Sequence, residues 1–191
     1  MMKLNYQIIL ASNSPRRKEL LSGLDLEYEV MVLPNIDESY PLDIQKEEVA
    51  LYIAKKKAQA YTDRLTDNKL VITADTVVII DDKILGKPID VADAKQMLRE
   101  LSGKTHQVIT GVCLTTSNKQ KSFSVISDVR FSNLDDSEIE YYVSKYKPLD
   151  KAGAYGIQEW IGYIGVEYIS GSYFNVMGLP IQKLYQELKK F

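Results

Sequence analysis

The chain has 191 residues, 45% of them hydrophobic and 26% charged, with a formal net charge of -2. That composition suits a single domain spanning 1–191 with a sizeable core and offers no overall basic field for nucleic acid. Cys113 is the only cysteine, so no intrachain disulfide can form, and no stretch reaches the length of a membrane span. Residues 1–7 lack an apolar signal core, so a cytoplasmic protein is expected, associated with neither nucleic acid nor membrane.

Ile8-Ile9-Leu10-Ala11 reads as a short strand broken by Ser12-Asn13-Ser14-Pro15. Ser14 suits an N-cap and Pro15 the first helical position, so a short helix is expected from Arg16 to Leu21, ended by Gly23. Leu26 to Leu33 alternates loosely and predicts a second strand, followed by a loop from Pro34 to Pro41 that carries Asp37 and Glu38. Helical spacing of Ala50, Ile53, Ala54, Ala58 and Tyr61 predicts a helix from about Asp43 to Tyr61. A β-branched apolar run from Leu70 to Ile80 predicts a buried strand, turned by Asp81-Asp82 into Lys83-Ile84-Leu85. Asp90 caps an expected helix over Val91 to Leu101, ended by Ser102-Gly103.

Gln107 to Thr115 and Phe123 to Phe131 read as a second hairpin, and a helix from about Ser137 to Lys145 must close before Pro148. Gly162 to Ile169 reads as a strand, and Pro180 opens a terminal helix with Ile181, Leu184, Tyr185 and Leu188 on one face. Strands and helices interleave with hairpins, which predicts an α/β fold with a mixed sheet.

Asp75 lies in the middle of that buried strand. An ionised carboxylate there is costly unless a cation or metal compensates it. Two readings stand for it: a structural ion pair, or a metal ligand or general base. Several familiar motifs fail. Gly103-Lys104-Thr105 resembles the end of a phosphate-binding loop, but Leu98 stands where its first glycine is needed. No G-x-S-x-G is present, and His106 and Cys113, the only histidine and cysteine, share one expected strand, which disfavours a Cys/His pair or a thiolate zinc site.

Other motifs hold. Ser12-Asn13-Ser14-Pro15-Arg16-Arg17 joins a strand end to a helix start, where free N–H groups, hydroxyls and guanidiniums favour phosphate. Lys57 falls on the core-facing stripe of its helix and must snorkel or meet an anion, whereas Lys55 and Lys56 read as solvated. Lys87, held extended by Pro88, projects its ammonium. Glu38 reads either as solvated or as a second carboxylate that, with Asp75, holds a hard cation such as Mg²⁺. Such a set suits phosphate-ester chemistry.

In this order and combination the residues resemble the Maf family of nucleoside triphosphate pyrophosphatases, or septum formation proteins, from about Ile8 to Leu179. The marks are Ser12-x-Ser14-Pro15-Arg16-Arg17, Glu38, Lys57, Ala74-Asp75-Thr76, Gly86-Lys87-Pro88, Leu101 to His106 and Asp150 to Gln158. The resemblance implies an ITPase-like mixed sheet with flanking helices, in two lobes around a central cleft. It implies hydrolysis of dTTP and UTP, or modified pyrimidine nucleotides, to the monophosphate and pyrophosphate, and a homodimer. Carried over by position, Asp75 is the general base; Glu38 and Asp75 hold a divalent metal, Mg²⁺ or Mn²⁺; Ser14, Arg17, Lys57 and Lys87 bind the triphosphate, with Ser12 beside them. Arg16, Thr76 and Gln158 mark the dTTP/UTP subfamily. Gln158 can donate and accept at once, which matches a uracil-type edge. A non-catalytic regulator of division and a 7-methyl-GTP pyrophosphatase are the alternatives, the latter disfavoured by Arg16 and Thr76. Glu159-Trp160 departs from the family, where glycine often follows the Gln158 position; Trp160 either stacks on a base or covers the core.

Overall fold

A computed structural model describes residues 5–191. In chain order the elements are β1 (Gln7–Leu10), α1 (Pro15–Ser22), β2 (Tyr28–Val30), α2 (Val49–Gln59), β3 (Lys69–Ile80), β4 (Lys83–Leu85), α3 (Val91–Leu101), β5 (Thr105–Thr115), β6 (Gln120–Phe131), α4 (Asp136–Tyr146), α5 (Trp160–Gly165), β7 (Val166–Ser170), α6 (Tyr173–Met177) and α7 (Ile181–Leu188). The strands form one seven-stranded sheet in the order β2-β1-β3-β5-β6-β7, with β4 on β3. β1 is parallel to β2 and β3, while β4 is antiparallel to β3 and β7 to β6, so the sheet is mixed as the interleaved pattern predicts.

The backbone clusters into two compact units. The first contains the chain up to Asp75, Thr110–Val125 and Gly178–Phe191; the second contains Thr76–Ile109 and Ile126–Met177.

In the first unit, small residues let α2 approach the strands closely. Ala54, Ala58 and Cys113 are buried together. Gly111 of β5 passes so near that a Cβ there would lie 2.4 Å from the Leu51 amide nitrogen. Thr73 of β3 donates its hydroxyl to the Ala54 carbonyl at 2.7 Å, and alternation puts Asp75 on that same strand face. A second cluster joins Ile9, Tyr61 and Val71 to Met31, Leu33 and Ile36. The Tyr61 hydroxyl donates to Met31 O at 2.8 Å and accepts from Leu33 N at 3.0 Å, which ties the start of the 34–41 loop to the end of α2.

In the second unit, Asp90 caps α3 by accepting from Asp93 N at 2.8 Å, and Asp135 with Glu138 forms a capping box on α4. Lys147 ends α4 in the left-handed region, one residue before Pro148. His106, Phe131 and Tyr155 pack edge to face, and His106 Nε2 lies 2.8 Å from the Tyr155 hydroxyl.

Several boundaries differ from the sequence-based expectation. The helix expected from Asp43 begins as a 3-10 turn at Lys46–Glu48 and is α-helical only from Val49. The strand expected over Leu26 to Leu33 pairs only at Tyr28–Val30. The strand expected from Gly162 is first helical: α5 runs to Gly165 and β7 starts at Val166. Gly162 explains this, because a Cβ there would fall 1.8 Å from Ile157 O, while its amide donates to Glu159 O at 2.9 Å. That close approach and that turn hydrogen bond override the β-branched pattern downstream. Gly23 follows α1 as expected but with φ of -65°, so its left-handed freedom is not used.

A candidate phosphate site built on β3, α1 and α2

The first unit gathers six of the predicted residues. Lys57, one helical turn beyond Ala54, brings its ammonium 2.7 Å from Asp75 Oδ1 and 3.0 Å from Glu38 Oε1. The side chains of Lys57 and Asp75 are 13% and 14% exposed, whereas Glu38 is 49% exposed. The Asp75 charge inside an apolar strand is therefore compensated by an ion pair. Lys57 does not snorkel past the core; it meets two anions.

Arg17 approaches from α1. Its Nε donates to Gly178 O at 2.8 Å, and an Nη donates to Ala74 O at 2.9 Å and to Ser12 Oγ at 3.5 Å. These bonds hold the guanidinium against the strand residue that precedes Asp75. Burial lowers the Arg17 pKa, and the Asp75 and Glu38 carboxylates oppose that; the guanidinium stays charged. Ser12 is buried and its Oγ accepts from Ser14 N at 3.2 Å. Ser14 caps α1 by accepting from Arg17 N at 3.4 Å. Arg16, beside them on the first turn, is half-buried.

The Glu38 loop is held by residues that sequence reasoning placed in solvent. Lys56 donates to Asp37 Oδ2 at 2.6 Å, to Ser39 O at 2.9 Å and to Ser39 Oγ at 3.1 Å. Asp37 also accepts from Ser39 N at 2.9 Å, and these bonds pull its carboxyl far below the usual range. Adjacent lysines thus do different work: Lys56 pins the loop, and Lys57 meets the carboxylate that the loop presents. The Asp37-x-Ser39 spacing, an aspartate-closed turn, was the one signal in the sequence for this.

Thr76, Lys87 and Gln158 belong to the second unit. Thr76 follows Asp75 in β3 and is half-buried, and Lys87 is exposed on the 86–90 turn. That turn is braced by Gly153 N, which donates to Gly86 O at 3.0 Å. Gly153 has a φ of +67° and sits against Val78, so neither its conformation nor its space suits a side chain. Gln158 is half-buried, and its Oε1 is a buried acceptor without a hydrogen-bond partner among the described residues. Trp160 packs edge to face on Tyr141, with ring centroids 4.8 Å apart.

A hard divalent cation is implied by the resemblance. Among the described residues no three His, Cys, Asp or Glu side chains converge on one point. Two carboxylates do, at Glu38 and Asp75, and Mg²⁺ is commonly held by one or two carboxylates with substrate phosphates and waters completing its shell. The donor set fits such an ion in the presence of a phosphate ligand.

Comparison with known proteins gives a consistent result. The family model described as Maf-like protein matches residues 7–191. A dTTP/UTP pyrophosphatase of Phocaeicola vulgatus is 64% identical over 185 residues, covering 97% of this chain and 96% of that protein. The proteins of the same name in Bacteroides thetaiotaomicron and Porphyromonas gingivalis W83 are 63% and 56% identical, over 97% of this chain and 96% and 94% of their own. The chain belongs to the Maf family.

Proposed function

We propose that the chain is a nucleotide diphosphatase that hydrolyses dTTP and UTP to the monophosphate and pyrophosphate. The similarity to proteins named for that activity supports the reading, and one structural observation carries it: a strand carboxylate, Asp75, shares an ammonium with Glu38 beside an arginine-bearing helix start. Within this cluster two cations, Arg17 and Lys57, balance two carboxylates. A triphosphate brings several further negative charges, so it calls for Arg16, Lys87 and a divalent cation in addition.

In this reading Ser12, Ser14, Arg16, Arg17, Lys57 and Lys87 bind and orient the triphosphate, and Glu38 and Asp75 would hold Mg²⁺ or Mn²⁺. The ion, when bound, supplies positive charge to the phosphate oxygens. Lys57 engages Asp75 Oδ1, which leaves Oδ2 to take a proton from water. The water oxygen forms the new bond to phosphorus, the P–O bond to the α–β bridging oxygen breaks, and pyrophosphate leaves. Gln158, with its open buried acceptor, meets the imide N–H that uracil and thymine share and cytosine lacks.

A cytoplasmic homodimer belongs to the same proposal. β7 ends the sheet, and Tyr163 and Tyr168 are 79% and 63% exposed there, a surface that a second copy would cover. Among the described residues no helix is long and apolar enough to cross a membrane.

The test is pyrophosphate release across a nucleotide panel with and without Mg²⁺. Metal-dependent release that favours dTTP and UTP is expected. Equal rates on all nucleotides, or orthophosphate in place of pyrophosphate, would overturn the assignment.

A further inference from the structure

Gln158 lies third in a tight turn. Glu159 N donates to Gly156 O at 2.9 Å, which closes residues 156–159 into one loop. Both ends of that loop return to one atom. The Tyr142 hydroxyl, on buried Tyr142 of α4, accepts from Gly156 N at 2.9 Å and donates to Glu159 Oε2. The other oxygen of Glu159 takes the ammonium of Lys151 at 3.1 Å, and Lys151, only 8% exposed, also reaches Asp150 at 2.8 Å. Gly156 leaves no space within this arrangement: a Cβ there would lie 2.8 Å from Glu159 Cδ and 3.1 Å from Lys151 Cε.

We propose that Tyr142 is a positioning residue for base selection, its single hydroxyl clamping both ends of the turn that presents Gln158. The proposal rests on the reading of Gln158 as the base-contacting residue. It also assigns Glu159, where the chain departs from its family, a task. With glycine there the turn would have no carboxylate to tie back; with glutamate it has two fixed ends. Every backbone and carboxylate group named is paired, while Gln158 Oε1 alone stays open. A rigid support that holds one unmet acceptor is what discrimination by a hydrogen bond needs, because a site built to bond an imide N–H rejects a base without one. A loose turn would let the amide rotate to suit cytosine.

The experiment measures kcat/KM for UTP and for CTP, and takes their ratio. Gln158→Ala tests the parent reading and should collapse the ratio. Tyr142→Phe keeps the ring and its 5.1 Å stack on Tyr146 but removes the clamp. It should lower the ratio about tenfold, a loss of one hydrogen bond's worth of selectivity, through KM for UTP with kcat within about twofold. Adding Tyr142→Phe to Gln158→Ala should lower the ratio no further, since the clamp acts through that side chain. Glu159→Ala should match Tyr142→Phe, and Glu159→Gln, which still accepts from Tyr142, should restore most of the ratio, so the test survives if one variant folds poorly. An unchanged ratio in both Tyr142→Phe and Glu159→Ala, with Gln158→Ala impaired, overturns the clamp alone, as does an additive double variant. An unchanged ratio in Gln158→Ala overturns the base-reading assignment and the clamp with it.

Discussion

Gly111→Ala tests how α2 brings Lys57 to Asp75. A Cβ at position 111 would stand 2.4 Å from Leu51 N and 2.5 Å from both the Ala50 carbonyl carbon and Leu51 Cα. Carbon–carbon contact is comfortable at about 3.5 Å, so the shortfall is roughly 1 Å, against main-chain atoms that no rotamer change can move aside. The helix must lift by about that distance. Overpacking of this kind costs about 1–3 kcal/mol. The same lift carries the Lys57 ammonium away from Asp75 Oδ1, now at 2.7 Å. A displacement of roughly 1 Å at a reacting centre is worth about a hundredfold in rate. Chemical unfolding and pyrophosphate release from UTP are the assays. A folded variant, less stable by more than about 1 kcal/mol and slower by about ten- to a hundredfold, is expected. Wild-type stability together with wild-type turnover would refute the argument that close packing of α2 sets the site.

Two further changes follow from the second unit. Burial lowers His106 to about 4, and its Nδ1 has no hydrogen-bond partner among the described residues. The unfolded chain therefore binds a proton that the folded one refuses between pH 6.5 and 4, and stability falls as pH falls through that window; the loss from pH 7 to pH 5 is about 2 kcal/mol. Urea unfolding of His106→Gln, which keeps a partner for Tyr155 without titrating, should show a pH dependence smaller by that amount, and equal slopes would contradict it. Gly153→Ala should destabilise by about 1–2 kcal/mol, since the position needs a positive φ, and should raise KM for UTP by loosening the Lys87 turn; an unaltered melting temperature and KM would count against that brace.

Much of the fold was legible because the informative signals were local. Ser14-Pro15 and Asp90 start helices by capping chemistry, and the Asp81-Asp82 turn closes its hairpin with Asp81 at a φ of +50°. The apolar run around Asp75 announced a strand, and Lys57 on a core-facing stripe announced an anion. What the sequence concealed depends on contacts made at a distance. α5 was hidden because its cause is a glycine against Ile157 O, not propensity. Lys56 looked like Lys55 because a charge run does not say which member meets the Asp37 loop. The Tyr142 clamp joins α4 to a turn fourteen residues later, and nothing in the spacing marks an aromatic hydroxyl as the tie. Trp160, read either as a base-stacking ring or as a cover for the core, is engaged with Tyr141.

The central claim is that the strand carboxylate at Asp75 removes a proton from water. Asp75→Asn keeps the shape and an acceptor for Lys57 while removing the base. Pyrophosphate release from UTP, measured beside nucleotide binding to the same variant, should show kcat reduced about 10²- to 10⁴-fold with UTP still bound. Turnover within a few-fold of the unaltered protein would mean that Asp75 serves only as the partner of Lys57.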